Sequence, residues 1–262
     1  MNKPISIIIP TYNCVKGLRI CLESIHKNQY NSKNEIVVII DGTKKLITPV
    51  LEDFKDKLNL KIITFEENQG LAMATNYGFF AASNGLCLNI NDDNVAPYHF
   101  DKILQEDYEI EQKYHDYNDI ILVPNQIERK QSIFEPFIIE DMGGLEDFDL
   151  AEFTKRELEI RDDYKEGVNI GWTFPIFMSK KLFMSLGGFD LLFGSPHVID
   201  LEFFMKAENV GVYNLRTYSC NFYHFGSLTA RTEDSYKKEK DAHLYFENKW
   251  GFRAYNRLLL NQ

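Results

Sequence analysis

Ile5-Ser-Ile-Ile-Ile-Pro-Thr-Tyr-Asn13 sets a β-branched run at the head of the chain and ends it in Pro10-Thr-Tyr-Asn13. A dinucleotide-binding sheet would carry G-x-G-x-x-G at that turn, so the stretch argues against a nicotinamide or flavin cofactor. Runs of the same kind return at residues 36–40, 62–65, 86–90 and 120–123. Their nearly continuous apolar character suits strands covered on both faces. Between them, Leu18, Cys21, Leu22 and Ile25 recur at helical spacing, as do Val50, Leu51, Phe54 and Leu58, then Leu71, Thr75, Tyr77, Gly78 and Ala82. Strand and helix thus alternate over residues 1–123, which predicts right-handed βαβ units in a mainly parallel sheet flanked by helices. Such sheets bind ligands beyond the carboxyl ends of their strands.

The second half, residues 124–262, has a different texture. Residues 126–163 read as an acidic, irregular segment, and long segments of that kind are usually functional. A strand follows at 174–178, then a helix from Ser179 that Gly187 and Gly188 should end, and another near 198–209 that stops before Gly211. A last helix over about 233–250 presents Tyr245, Phe246 and Trp250 for clamping to the core. One domain over 1–262 is the expectation, in halves 1–123 and 124–262.

Composition narrows the partners. The 262 residues are 44% hydrophobic, enough for a sizeable core, and carry a net charge of −10. Nucleic acid and anionic membranes need a basic footprint that this chain lacks. Cys14, Cys21, Cys87 and Cys220 show no C-x-x-C spacing and read as buried, reduced thiols. The strand-like run starts too early to leave room for a signal segment, and no apolar stretch approaches the ~20 residues of a membrane helix, so a cytoplasmic protein is expected.

Two acidic turns carry the chemistry. Asp41-Gly-Thr43 ends the second run and places a carboxylate where it can accept hydrogen bonds from a base or ribose. Asn91-Asp-Asp-Asn94 ends the fourth and sets two adjacent carboxylates at the ligand edge. Mn2+ or Mg2+ takes hard oxygen ligands, and one or two carboxylates plus substrate phosphates complete its shell.

With these turns stand Asn68-Gln-Gly-Leu-Ala72 with Asn76, Gly187-Gly-Phe-Asp190, Asp200-Leu-Glu202, His224-Phe-Gly-Ser227 and Lys249-Trp-Gly251. Their joint order over nearly the whole chain resembles the family 2 glycosyltransferases of the GT-A fold. The resemblance implies an inverting transferase that takes a sugar from a nucleotide-sugar donor, by default a UDP-sugar, to a glycan or other hydroxyl acceptor. By the same resemblance Pro10, Thr11 and Tyr12 line the nucleobase pocket, Asp41 contacts base or ribose, and Asn68 and Gly70 shape its floor. Asp93 is then the metal-binding carboxylate of the D-x-D element, and Asp92 faces ribose or sugar. Asp200 is the catalytic base, with Glu202 second in line, and His224 contacts the metal or diphosphate. Trp172 is a candidate sugar-stacking platform. Asn91 and Ile199 stand where the family usually has acids, a departure that also fits a catalytically silent nucleotide- or sugar-binding relative.

Overall fold

The structure, a computed structural model, describes residues 3–116, 118–129, 138–163, 169–194, 198–226, 233–253 and 256. Four parallel strands form its first half: β1 (Ser6–Thr11), β2 (Glu35–Asp41), β3 (Asn59–Phe65) and β4 (Leu86–Asn89), ordered β3-β2-β1-β4. Helices α1 (Val15–Asn28), α2 (Lys44–Glu52) and α3 (Leu71–Ala81) connect them. Each of these elements coincides with a run or periodicity in the sequence. β1, β2 and β4 read as nearly unbroken apolar runs because both faces are covered, whereas the edge strand β3 has no buried residue. Ile8, Val37, Ile39 and Cys87 point into one cluster, while Ile7, Ile9, Val38, Ile40 and Leu88 point into the other. On the first face α3 lies almost on the sheet, since a Cβ added at Gly78 would meet Ile8 Cγ2 at 2.4 Å.

Beyond β4 follow β5 (Asn94–Val95), α4 (Phe100–Tyr114), β6 (Ile120–Glu128), β7 (Ile138–Ile139), α5 (Leu150–Asp163) and β8 (Asn169–Ile170). The chain then forms β9 (Ile176–Ser179), α6 (Lys180–Ser185), a 3-10 turn at Leu191–Phe193, α7 (Ile199–Asn209), β10 (Tyr213–His224) and α8 (Glu233–Trp250). The sheet continues as β4-β9-β6-β10-β5, with β9 and β5 antiparallel to their neighbours and β6 parallel to β10. Strands from both halves of the chain therefore share one sheet, and β9 inserts between β4 and β6. All four cysteines are free and buried, as the sequence predicts.

One expectation is corrected. Residues 126–163 are not irregular throughout, because β6 runs on to Glu128 and α5 fills Leu150–Asp163. The helix escapes a periodicity search because its buried stripe mixes Phe153 and Ile160 with Glu157, which has no exposed surface. That carboxylate is satisfied by the Asn221 side-chain amide at 3.1 Å and by the Arg161 guanidinium. Residues 130–137 of the same stretch lie outside the described residues.

In β10 the ladder to β6 shifts between Thr217, opposite Pro124, and Asn221, opposite Asn125. Proline has no N–H to give the ladder, so the interruption sits where pairing is weakest. After this bulge the register brings His224 opposite Glu128, which sets up the site.

Candidate active site

The turn Asn91-Asp-Asp-Asn94 is held from three directions. Asn94 Oδ1 accepts the Asn91 N–H at 2.9 Å, closing the turn on itself. The Ser24 hydroxyl of α1 accepts the Ala96 N–H at 2.9 Å, and the Asn28 side chain donates to the Ala96 carbonyl at 2.8 Å. On the far side β5 pairs with the end of β10, and the Phe225 N–H donates to the Asp93 carbonyl at 3.2 Å. Gly17 lets α1 approach the turn, because a Cβ there would meet Cys14 Sγ at 2.4 Å and the Asp92 carbonyl oxygen at 2.9 Å. Gly17→Ala should therefore destabilise the protein by about 2 kcal/mol, the order expected of overpacking, in urea unfolding. A change under about 0.5 kcal/mol would mean that the turn yields freely.

The two adjacent carboxylates differ. Asp92 Oδ2 is buried and has no hydrogen-bond partner among the described residues. Burial, then the neighbouring Asp93 charge, push the Asp92 pKa up to about 8 against the Thr11 hydroxyl, the Tyr12 N–H and the Cys14 thiol, which favour its charged form. Asp93 Oδ2 lies 3.4 Å from His224 Nε2, and His224 Nδ1 lies 2.7 Å from Glu128 Oε1. Burial would lower the imidazole pKa, but the Asp93 and Glu128 carboxylates outweigh it and carry the ring up to about 10. Glu128 is thus a site residue that the sequence reading missed. Ser227 of the His224 motif lies outside the described residues.

Beside this turn stand the ends of β1 and β2, with the Thr11 hydroxyl and the Tyr12 N–H directed at Asp92. Asn13 sits at φ 58° and its N–H faces the Thr43 hydroxyl at 3.4 Å, joining the two loops. Pro10 and Thr11 are buried, and Tyr12 is 42% exposed at the rim. The Asp41 carboxylate accepts the Gln69 N–H at 2.6 Å and the Gly70 N–H at 2.9 Å, so it anchors the loop ahead of α3. Burial nonetheless holds its pKa above the ordinary aspartate value. Gly42, at φ 80°, permits the contact, since a Cβ there would meet the Asn68 nitrogen at 2.5 Å. Asn68 itself is exposed on that loop.

Asp200 and Glu202 both lie in the first turn of α7, where acidic side chains oppose the positive end of the helix dipole. They part company in their partners. Glu202 is fully buried, with Lys249 Nζ at 2.7 Å from one oxygen and Lys206 Nζ at 3.4 Å from the other. Asp200 is partly exposed and accepts the Leu201 N–H at 2.8 Å; burial raises its pKa to about 6. Val198, the residue just before α7, holds a left-handed conformation at φ 62° and ψ 1°. Trp172, the expected sugar platform, is only 7% exposed and packs within the core, where a stacking face is closed off.

Three comparisons with known proteins bear on this arrangement. A profile described as "Glycosyl transferase family 2" matches residues 6–178. The chain is 32% identical over 101 residues to the amylovoran biosynthesis glycosyltransferase AmsE of Erwinia amylovora, covering 37% of this chain and 38% of that protein. It is 28% identical over 157 residues to the chondroitin synthase of Pasteurella multocida, covering 54% of this chain and 15% of that one. The aligned stretch thus spans well under half of either relative. Among solved structures, residues 1–349 of Staphylococcus aureus TarS superpose with a TM-score of 0.59 at 18% identity, covering 95% of this chain and 74% of that one. The same region of TarS in complex with UDP superposes with a TM-score of 0.58 at 18% identity, covering 99% and 75%. The fold is that of the GT-A glycosyltransferases. Among the described residues no helix is long and apolar enough to cross a membrane. With the profile matching about two thirds of its length, the chain belongs to glycosyl transferase family 2.

Proposed function

We propose that this protein is an inverting glycosyltransferase that moves a hexosyl or N-acetylhexosaminyl unit from a nucleotide-diphosphate sugar, with UDP as the favoured carrier, to a hydroxyl acceptor in glycan synthesis. The observation that carries the reading is the Asp92, Asp93 and His224–Glu128 constellation at the ends of β4 and β10, beside Thr11, Tyr12 and Asp41 at the ends of β1 and β2. TarS, whose fold this chain shares, is described in complexes with UDP and with UDP-GlcNAc, which supports the choice of carrier.

The side chains fit Mn2+ or Mg2+: Asp93 offers a carboxylate oxygen, His224 offers Nε2 once binding has displaced its proton, and Asp92 Oδ2 beside them is a buried oxygen with no hydrogen-bond partner among the described residues. Among the described residues no group of three His, Cys, Asp or Glu side chains could hold an ion alone, and diphosphate oxygens of the donor would have to supply further ligands. Asp93 and His224 would hold the ion, with Glu128 orienting the ring through Nδ1. When bound, the ion offsets the charge that develops on the departing diphosphate.

The remaining steps belong to the chain's own residues. Thr11 and Tyr12 line the base pocket, Asp41 fixes the Gln69–Gly70 loop beneath it with lone pairs to spare for the ribose, and Asp92 faces the ribose or sugar. Asp200 takes the acceptor's proton as its oxygen attacks the anomeric carbon opposite the leaving group, which inverts the configuration. Glu202 is less suited to this role, since both its oxygens face ammonium groups away from solvent.

Calorimetric titration of UDP, GDP and dTDP, each with Mn2+ and with EDTA, tests the reading. One nucleotide should bind with Mn2+ and lose about 100-fold in affinity in EDTA, close to 2.7 kcal/mol. Absence of binding by all three in both conditions would overturn it.

A further inference from the structure

Two sequence motifs, Gly187-Gly-Phe-Asp190 and Lys249-Trp-Gly251, have no part in the chemistry above, yet the structure joins them. Lys249 Nζ lies 2.8 Å from Asp190 Oδ2 and 2.7 Å from Glu202 Oε1. The Tyr245 hydroxyl, one turn earlier on α8, donates to the same Asp190 oxygen at 3.0 Å. Lys206 faces the second Glu202 oxygen and donates to the Gly188 carbonyl. Asp190 and Glu202 against Lys249 and Lys206 make a charge-balanced group of four, and its most enclosed member, Glu202, has no exposed surface. A buried carboxylate of this kind is tolerated only while its cations stay in place.

The 187–190 segment is gripped from the other side as well. Asn76 of α3 donates to the Phe189 carbonyl at 2.8 Å and accepts the Phe189 N–H at 2.8 Å. The helix that begins at the Asp41-held loop therefore meets the segment that α8 clamps to the first turn of α7. Asp200 stands in that turn, two residues before Glu202.

We infer that Lys249 is a positioning residue for Asp200: by bridging Asp190 and Glu202 it fixes the first turn of α7 and so the direction of the base. The inference rests on the reading of Asp200 as base, and it names the element that sets that base in place. Misplacing a reacting group by about 1 Å can cost a factor of ~100, which sets the scale. A residue acting this way should alter turnover and leave donor binding alone, because its side-chain partners among the described residues, Asp190, Glu202 and the Trp250 ring, lie outside the proposed donor site.

The test is Lys249→Met, which keeps the length of the stem and removes the charge, with Lys249→Arg beside it. With Lys249→Met, kcat should fall by about 100-fold while donor KM and UDP affinity stay within about twofold. Hydrogen exchange at residues 200–203 should quicken by about tenfold with β1, β2 and β4 unchanged. The arginine variant should recover most of the loss. Turnover and α7 exchange both within twofold of wild type would overturn the inference, as would faster exchange across the whole sheet. If wild type transfers no sugar yet the methionine variant loosens α7 alone, the transferase reading fails while the clamp stands. Should the methionine variant not fold, Tyr245→Phe, which removes one hydroxyl, should still lower kcat severalfold at unchanged KM, and an unchanged kcat there overturns the inference.

Discussion

Asp93→Ala should reduce nucleotide binding in Mn2+ to the level seen in EDTA, a loss of about 100-fold or more, and transfer should fall with it. The side chain makes the 3.4 Å approach to His224 Nε2, whereas the turn itself is held by the Asp93 backbone carbonyl, by Ser24 and by Asn28. Removing the carboxylate therefore subtracts charge with little disturbance of the loop. Asp93→Asn separates the two effects by keeping the shape without the charge, and it should behave like alanine. Metal titrations of the alanine variant that match wild type in both affinity and stoichiometry would show that the ion is held elsewhere.

Asp200→Asn should lower kcat by about a thousandfold at unchanged donor affinity, within the range that general-base removal gives. The pH dependence follows in sign from burial. Burial raises the Asp200 pKa to about 6, so the group is protonated below that pH and unable to accept a proton. In wild type, kcat should rise with pH up to about 6 and level off above it, and the asparagine variant should lack that limb. Near-native turnover by the variant would move the base role away from Asp200.

The first half of the fold is legible because its strands are apolar on both faces, so residues 36–40 or 86–90 stand out without any knowledge of partners. Legibility fails where polar groups take core positions. The buried stripe of α4 combines Phe100, Leu104 and Tyr108 with Asp101 and Gln105, and Asp101 spends its carboxylate on the Tyr30 and Asn31 N–H groups at 2.7 and 2.9 Å. Glu157 does the same to α5.

The site divides along a similar line. Asp41, Asp92 and Asp93 were visible at strand ends, since that is where an open α/β sheet gathers ligands. Glu128 was not, because its meaning comes from a residue 96 positions later that only the β6–β10 register delivers. For Asp200 and Glu202, two acids in one helical turn, the order comes from the family resemblance and not from residue chemistry. The structure adds a physical reason for it, since among the described residues Lys249 and Lys206 pair with the second and not with the first.

Val198 shows what that arrangement demands of the backbone. A β-branched residue at φ 62° sits where glycine or asparagine would be at ease, at a cost of about 1–3 kcal/mol. Glycine there would relieve the strain at the expense of the Val198 side chain's packing against the core. The same exchange would loosen the joint from which α7 departs, so variants that gain melting temperature at residue 198 should be those whose turnover declines. Robustness and activity thus pull one residue in opposite directions, and the valine marks the side on which this chain has settled.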